Sequence, residues 1–229
     1  MTSHKTLRLS AVLLLVGFLG SVVAGLLHPS HGDPNNHATA FADYANSANW
    51  TAAHLGQFVG LAVLVAGLLV LFIALNLQSG PSGWAGRFGA VSAVVTLALS
   101  GVLQAVDGVA LKQAVDSWAA APVTEKSARF ASAEVIRWLE EGVRSYQSYM
   151  LGLTLILLAI AIVWTARIAR PIGYLMALSG VAYLIQGWVL GTQGFSSANS
   201  TPTLVGYVLV LAWIVWLLIA AWRMKGSTG

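Results

Sequence analysis

The sequence predicts an all-α membrane protein, a polytopic bundle of about six transmembrane helices, and three observations support this. Hydrophobic residues make up 57% of the 229 residues and charged residues only 9%, whereas a soluble domain needs a more charged surface. The mean hydropathy is +0.76. Apolar stretches recur at roughly the 20 residues that a helix needs to cross the hydrocarbon core. Lipid is therefore the predicted main solvent of the chain.

Six apolar stretches qualify as spans within a single membrane-embedded domain over residues 1–229. They cover residues 9–27, 54–77, 88–110, 146–166, 172–190 and 204–222. Loops at 28–53 and 111–145 are the two long connections. Turn-forming residues separate the other spans, as in Gly80-Pro81 and Arg170-Pro171.

The charges predict which side each loop faces. With an N-in/C-in topology, all acidic residues fall on the outer side or at its edge, and basic residues dominate the inner side, as the positive-inside rule requires. This asymmetry fits an even number of crossings and predicts a multi-pass protein of the cytoplasmic (inner) membrane. The predicted inner residues are Lys5, Arg8, Arg87, Arg167, Arg170, Arg223 and Lys225.

A secretory signal peptide is the alternative interpretation of the N-terminus. Lys5 and Arg8 precede an apolar run, and Val22-Val23-Ala24 is a motif that a signal peptidase could cut. The apolar run is long for a signal peptide, which favours a retained first span.

The second long connection predicts an amphipathic helix on the outer side, between spans 3 and 4. Thr124 is a suitable N-cap, and apolar residues then recur at helical spacing through Val135, Leu139 and Val143. The helix is predicted to run into the fourth span, with Gly142 as its bend.

Polar side chains line one face of three predicted spans. In the third span they recur at steps of four, four, four and three residues, and similar faces occur in the second and fifth. Because polar groups avoid lipid, these faces predict an inward, outward-opening pocket. The alternative is that they only hydrogen-bond between helices as packing contacts. The predicted ligand-binding residues are Gln57, Gln104, Asp107 and Gln186, with His54 beside them.

Four histidines on the predicted outer side are candidate metal ligands: His28, His31, His37 and His54. Imidazole together with the carboxylate of Asp107 suits zinc, copper or iron. The chain has no cysteine, which excludes thiolate sites and iron–sulfur clusters. At most one heme is predicted, since only His28 and His54 form a pair that could face one another in a bundle. The alternative is that the histidines are solvated at the membrane surface.

The arrangement Trp50-Thr51-Ala52-Ala53-His54-Leu55-Gly56-Gln57 opens the second span. With the long connection after the third span and the short basic turns, it resembles a loose group of uncharacterised six-helix bacterial membrane proteins. The resemblance implies the topology and no activity.

The sequence thus predicts a membrane protein whose outward-facing polar pocket binds a metal ion or a small polar or amphipathic ligand. One alternative is an accessory subunit of a larger membrane complex, or a homo-oligomer. Another is a hydrolase-like membrane metalloenzyme in which the metal activates water. A transporter fits less well, because the spans hold no mid-membrane acid or base. The lipid bilayer is a predicted partner of the chain, and nucleic acid is not.

Overall fold

The structure is a computed structural model that describes residues 4–29 and 33–224. These residues form helices and short connections, and no β-strand occurs among them. The eight α-helices are α1 (His4–Gly25), α2 (His37–Ala45), α3 (Trp50–Leu75), α4 (Pro81–Gln104), α5 (Lys112–Ala119), α6 (Lys126–Thr165), α7 (Arg170–Gln193) and α8 (Ser200–Arg223). A π-helical segment, Ala105–Leu111, joins α4 to α5, and a 3-10 turn, Ser197–Asn199, precedes α8.

Within the described residues, six helices are long and apolar enough to cross a membrane, which confirms the predicted all-α fold with six candidate spans. They are α1, α3, the continuous α4–π–α5 rod, α6, α7 and α8 with its preceding turn. Each packs against the next along the chain, and α8 closes the circle against α1. The six helices therefore surround a common interior.

Glycine permits the closest helix contacts in this arrangement. A Cβ atom on Gly67 of α3 would lie 2.8 Å from the backbone nitrogen of Leu14 in α1. A Cβ atom on Gly152 of α6 would lie 2.7 Å from the carbonyl oxygen of Gly180 in α7. Small residues at these positions let the backbones approach, and close van der Waals packing is what holds helices together in lipid.

One end of the bundle, here called the arginine end, carries the start of α1, the α3–α4 and α6–α7 turns and the end of α8. Arg8 donates to the carbonyl of Ala221 at 3.1 Å, and Arg167 donates to the carbonyls of Leu75 and Asn76. The interior of this half is an apolar plug of fully buried side chains from five helices. Its centre contains Leu14, Leu68, Leu71, Leu158, Ile162, Ile172, Met176, Ile214 and Leu217.

The opposite end, here called the histidine end, is more elaborate than the predicted loops at 28–53 and 111–145. The first loop contains α2, which begins after Asn36, whose side chain accepts from the backbone N–H of Thr39. Phe41 and Tyr44 bury the apolar face of α2 against Leu111 and Val115. This nine-residue helix was not predicted, because the loop is rich in turn-forming residues. The sequence signals of the helix are only one N-cap and two aromatic residues.

The second loop is also mostly helical. The third span continues through the π-helical segment and α5 to Ala119, beyond its predicted end at residue 110. Helix α6 runs unbroken for 40 residues from Lys126 to Thr165, without a break at Gly142. At 1.5 Å per residue it is about 60 Å long, roughly twice the thickness of a hydrocarbon core.

Candidate metal site and its adjoining cavities

Three side chains that the sequence separates widely converge at the histidine end. His28 follows α1, His54 lies in the first turns of α3, and Asp107 lies in the π-helical segment. One potential ligand atom from each lies within 4.8 Å of those of the other two. His54 and Asp107 are 3% and 8% exposed, so this is a buried cluster rather than a group of solvated surface residues.

Backbone carbonyls orient both histidines. The Nδ1 atom of His54 lies 2.7 Å from the carbonyl oxygen of Trp50, and the Nδ1 atom of His28 lies 2.8 Å from that of Pro29. A carbonyl oxygen can only accept a hydrogen bond, so each Nδ1 carries the proton and donates it. In the neutral form of such a ring, Nε2 is unprotonated and has a free lone pair, which is the usual state of a metal-ligating histidine.

A proton or a cation can join His54 to Asp107. Nε2 of His54 lies 3.0 Å from Oδ2 of Asp107, yet Nε2 makes no hydrogen bond, and neither does the other carboxylate oxygen of Asp107. With His54 neutral, two buried acceptors face each other, which is unfavourable. The arrangement becomes favourable when His54 takes a second proton or when a metal ion lies between the two atoms.

The π-helical segment places Asp107 in this cluster. Such segments are rare, occur mostly as single-turn insertions in α-helices and are frequent at functional sites. Here the segment passes so close to α3 that a Cβ atom on Gly108 would lie 2.9 Å from Cβ of His54. The indole Nε1 of Trp50 donates to the carbonyl of Gly108 at 3.1 Å, which ties the segment to the start of α3.

Aromatic residues enclose His28. Its ring centroid lies 5.1 Å from that of Trp50, 5.2 Å from that of His54 and 5.5 Å from that of Tyr44. Burial lowers the pKa of His28 and outweighs the opposing attraction of its charged form to Asp107. His28 is therefore held in the neutral form that can bind a metal ion.

Helix α2 completes this enclosure and is tied to the neighbouring rod. Lys112 donates to the carbonyls of Tyr44 and Ala45 at 3.0 Å, at the C-terminus of α2. Burial raises the pKa of Tyr44 to about 12, so its hydroxyl stays protonated beside the cluster.

A cavity of about 320 Å³, here called the mouth cavity, adjoins the cluster. His28 and Asp107 line it from one side, and a buried ion pair from α6 lines it from the other. In this pair, Arg137 donates to Glu140 at 2.7 Å and lies 4.2 Å from the ring centroid of Phe195. A paired, hydrogen-bonded charge is the form in which buried charges are tolerated.

A second cavity of about 440 Å³, here called the central cavity, lies deeper between the six helices. All six candidate spans contribute to its wall, and Gly25, Gln57, Arg144 and Tyr207 line both cavities. Its volume and its apolar wall with a few polar groups are typical of a small-molecule site. The apolar plug of the arginine end lies below it.

The predicted ligand-binding residues distribute over these two cavities. Gln104 and Gln186 line the central cavity, Asp107 lines the mouth cavity, and Gln57 lines both. Gln186 is held in place, since it accepts from Ser148 at 3.1 Å and donates to Thr203 at 2.6 Å. Part of the predicted polar face therefore forms hydrogen bonds between helices, which was the alternative to a ligand-binding role.

The predicted metal ligands divide in a similar way. The structure brings His28 and His54 together with Asp107. His37 instead lies 3.0 Å from Glu134 and stacks on Phe41. His31 lies outside the described residues.

Several site residues were not singled out from the sequence. Arg137, Glu140 and Arg144 belong to the predicted outer helix and line the mouth cavity. Their steps of three and four continue through Gln147, Ser148 and Leu151 on one face of α6. That continuous polar face, running from the loop into the span, was the signal that could have found them.

No protein family, curated protein or solved structure matches this chain. The resemblance to uncharacterised six-helix bacterial membrane proteins therefore stays a prediction.

Proposed function

We propose that this chain is a multi-pass protein of the cell membrane that binds a transition-metal ion at His28, His54 and Asp107, beside a ligand-binding pocket. The contact of His54 with Asp107 carries this proposal. With His54 neutral, two buried acceptor atoms lie 3.0 Å apart, because the carbonyl of Trp50 at 2.7 Å takes the hydrogen bond of the proton-bearing Nδ1. A cation shared between the two acceptors satisfies both.

The donor set indicates the class of metal. Two imidazole nitrogens and one carboxylate, without thiolate, suit Zn²⁺, Fe²⁺ or Cu²⁺. Ligand bonds of about 2.0–2.2 Å place ligand atoms roughly 3.4 Å apart in a tetrahedral site. Since the three ligand atoms already lie within 4.8 Å of one another, no pair needs to approach by more than about 1.4 Å. Three protein ligands would leave one position of a tetrahedral metal open, and two of these ligands, His28 and Asp107, also line the mouth cavity.

The membrane orientation is part of the proposal. The described basic residues of the arginine end support its assignment to the cytoplasmic side, and the acidic residues support an external histidine end. Asp107 lies 26 residues beyond Pro81 on a continuous helical rod, which is more than about 35 Å. The metal site would then lie near the outer headgroup region, and α2, α5 and the first half of α6 would lie outside the hydrocarbon.

Labelling of introduced cysteines tests this orientation, because the chain has no native cysteine. Val123 at the histidine end is 93% exposed, and Ser79 in the α3–α4 turn is also exposed. We expect a membrane-impermeant maleimide to label Val123→Cys in intact cells and Ser79→Cys only after lysis. The reverse pattern would contradict the orientation and leave the metal site untouched.

Metal analysis of the purified protein tests the site itself. We expect wild type, purified in mild detergent and offered Zn²⁺, Fe²⁺ or Cu²⁺, to retain near-stoichiometric metal. His54→Ala and Asp107→Asn should both lose it, whereas His37→Ala, a histidine outside the cluster, should keep it. Wild-type protein that holds no metal under any of these conditions would show that His54 and Asp107 form a proton-linked ion pair instead.

The hydrolase-like metalloenzyme is a second candidate that the same geometry supports. An open metal position facing a cavity is the arrangement that activates water. Glu140 lines the same cavity and is the candidate general base of this enzyme. Its carboxylate forms an ion pair with Arg137. Turnover of an ester or amide probe that is lost in Asp107→Asn and insensitive to His37→Ala would support it.

The accessory-subunit alternative draws on a different surface. Val135, Trp138, Leu139 and Tyr146 are all more than half exposed on α6. Their spacing forms an apolar stripe that begins in the half of α6 beyond a hydrocarbon thickness and reaches the headgroup level at Tyr146. A stoichiometric partner that copurifies with wild type and is lost in Trp138→Ser would support this alternative.

A further inference from the structure

Arg144, where the two cavities meet, is a cation without an acidic partner among the described residues. Arg144 lines both the mouth cavity and the central cavity. Its hydrogen bond is to the side-chain amide of Gln147, at 3.4 Å. Among the residues that the structure describes, no carboxylate forms an ion pair with Arg144.

Other arginines of the described chain are compensated differently. Arg137 and Arg129 pair with Glu140 and Glu125 at 2.7 and 3.1 Å. At the arginine end, Arg8 and Arg170 donate to backbone carbonyls of Ala221 and Val163. Arg144 combines partial burial with one long contact to a neutral amide. A partly desolvated guanidinium of this kind gains most from an anion that arrives with a ligand.

The central cavity beside Arg144 favours an anion with an apolar tail. None of the described residues that line the central cavity is acidic. Gln57 and Tyr207 provide further donors where the cavities meet, whereas the deep end is formed by Phe18, Leu64 and Leu151. From Gln57 to Leu64 the wall of α3 descends seven residues, which is about 10 Å.

The depth of Arg144 in the bundle fits the same ligand. It lies 21 residues before the end of α6 at Thr165, which is about 32 Å along the helix. That distance is close to the thickness of the hydrocarbon core. Arg144 therefore lies at headgroup level, and the central cavity extends from there toward the membrane interior.

We propose that the two joined cavities bind an amphipathic anion, whose carboxylate or phosphate group contacts Arg144 and whose apolar chain fills the central cavity. The mouth cavity places the same head group beside His28 and Asp107, and in this respect the proposal rests on the proposed function. Contact between the head group and Arg144 does not itself require a metal.

Binding of matched amphiphiles tests the proposal. The full chain is placed in nanodiscs of zwitterionic lipid and titrated with a nitroxide-labelled C16 carboxylate, the C16 phosphate and the C16 alcohol. Empty nanodiscs correct for partition into lipid. Hydrogen bonds to a charged group predict a preference of about tenfold or more for either anion over the alcohol.

The variants assign this preference to one residue. Arg144→Gln should bind the anions no better than the alcohol, and Arg144→Lys should retain part of the preference. Arg129→Gln, which removes the same charge from an exposed position on the same helix, should behave as wild type. A thermal unfolding curve for each variant shows whether it is folded. If Arg144→Gln does not fold, the preference for anions over the alcohol is compared between wild type and Arg144→Lys instead.

Three results would overturn the proposal. The first is equal binding of anions and alcohol by wild type, and the second is an equal loss in Arg144→Gln and Arg129→Gln. The third is binding of inorganic phosphate and acetate as tightly as their C16 counterparts, which would make the site one for a free anion. Metal content measured on the same samples separates the two proposals. An Arg144-dependent preference without metal overturns only the metal site, and metal without the preference overturns only the amphipathic anion.

Discussion

The arginine end of the bundle packs leucine against leucine across five helices, whereas the histidine end leaves two cavities between polar side chains. Fully buried residues such as Leu71 and Leu158 fill the first region. In the second, Gln104 and Asp107 each carry a buried oxygen without a hydrogen-bond partner. Buried polar groups are normally satisfied. These two oxygens border cavities in which a ligand or an ion can reach them, whereas the unpaired Nε1 of Trp213 lies within the plug.

The difference indicates that the packing at the arginine end stabilises this protein more than the contacts at the histidine end do. In lipid, apolar side chains gain little by leaving the solvent, so helix association depends on close packing and a few hydrogen bonds. The plug and the glycine contacts beside it supply that packing. The histidine end can therefore hold an open pocket without loosening the bundle.

The largest expected effect is at a glycine contact of the plug. In Gly67→Leu, the new side chain has no space, because even its Cβ atom would lie 2.8 Å from the backbone of Leu14. We expect a loss of more than about 3 kcal/mol of unfolding free energy, or failure to fold. Gly142→Ala at the histidine end, where nothing lies within 4 Å of the added Cβ atom, should be neutral or stabilising by up to about 1 kcal/mol. Thermal unfolding in detergent measures both, and similar losses would contradict the comparison.

The next effect contrasts truncation in the plug with replacement in the cavity. Leu158→Ala should cost about 2 kcal/mol, at the low end for buried leucines, because the unfolded side chain stays in apolar lipid. Gln104→Leu keeps most of the volume and removes an unpaired oxygen, so it should change stability by less than about 1 kcal/mol. An equal loss in the two variants, measured by denaturant unfolding, would assign Gln104 to packing.

A smaller effect is expected on metal binding rather than on folding. Gly108→Ala places a Cβ atom 2.9 Å from Cβ of His54 and should displace this ligand, which lowers metal affinity about tenfold. Gly101→Ala on the same rod meets only Phe58, at 3.8 Å, and should keep wild-type affinity. Competition with a chelator of known affinity provides the measurement. Unchanged affinity in Gly108→Ala would remove the π-helical segment from the site.

The smallest effect concerns the hydrogen bonds that hold the cavity wall. Ser148→Ala removes the bond to Gln186 and should cost about 0.6 kcal/mol, the average for such bonds between membrane helices. It should leave metal content unchanged, because Ser148 lines the central cavity and not the metal cluster. A loss above about 2 kcal/mol would show that the polar wall is a main source of stability.

The polar face of the third span shows how far sequence reasoning reached. Steps of three and four residues placed Gln104 and Asp107 on one side of a helix, and the structure has both facing the interior. The same reasoning did not anticipate the π-helical segment around Asp107, because a one-residue change of helical register leaves no compositional signal. It also did not single out Arg137 and Glu140, since charged residues beyond a span are usually solvated.

Hydropathy and periodicity by themselves determined that the chain is helical, that it holds six candidate spans and that their polar faces turn inward, because lipid excludes unpaired backbone and polar groups along every span. Only the tertiary structure decided which histidines meet. His28 and His54 approach Asp107 because α1 packs against α3 and the π-helical segment passes over His54, while His37 turns to Glu134. Such contacts depend on how separate helices dock, and residue spacing within one helix carries no information about that docking.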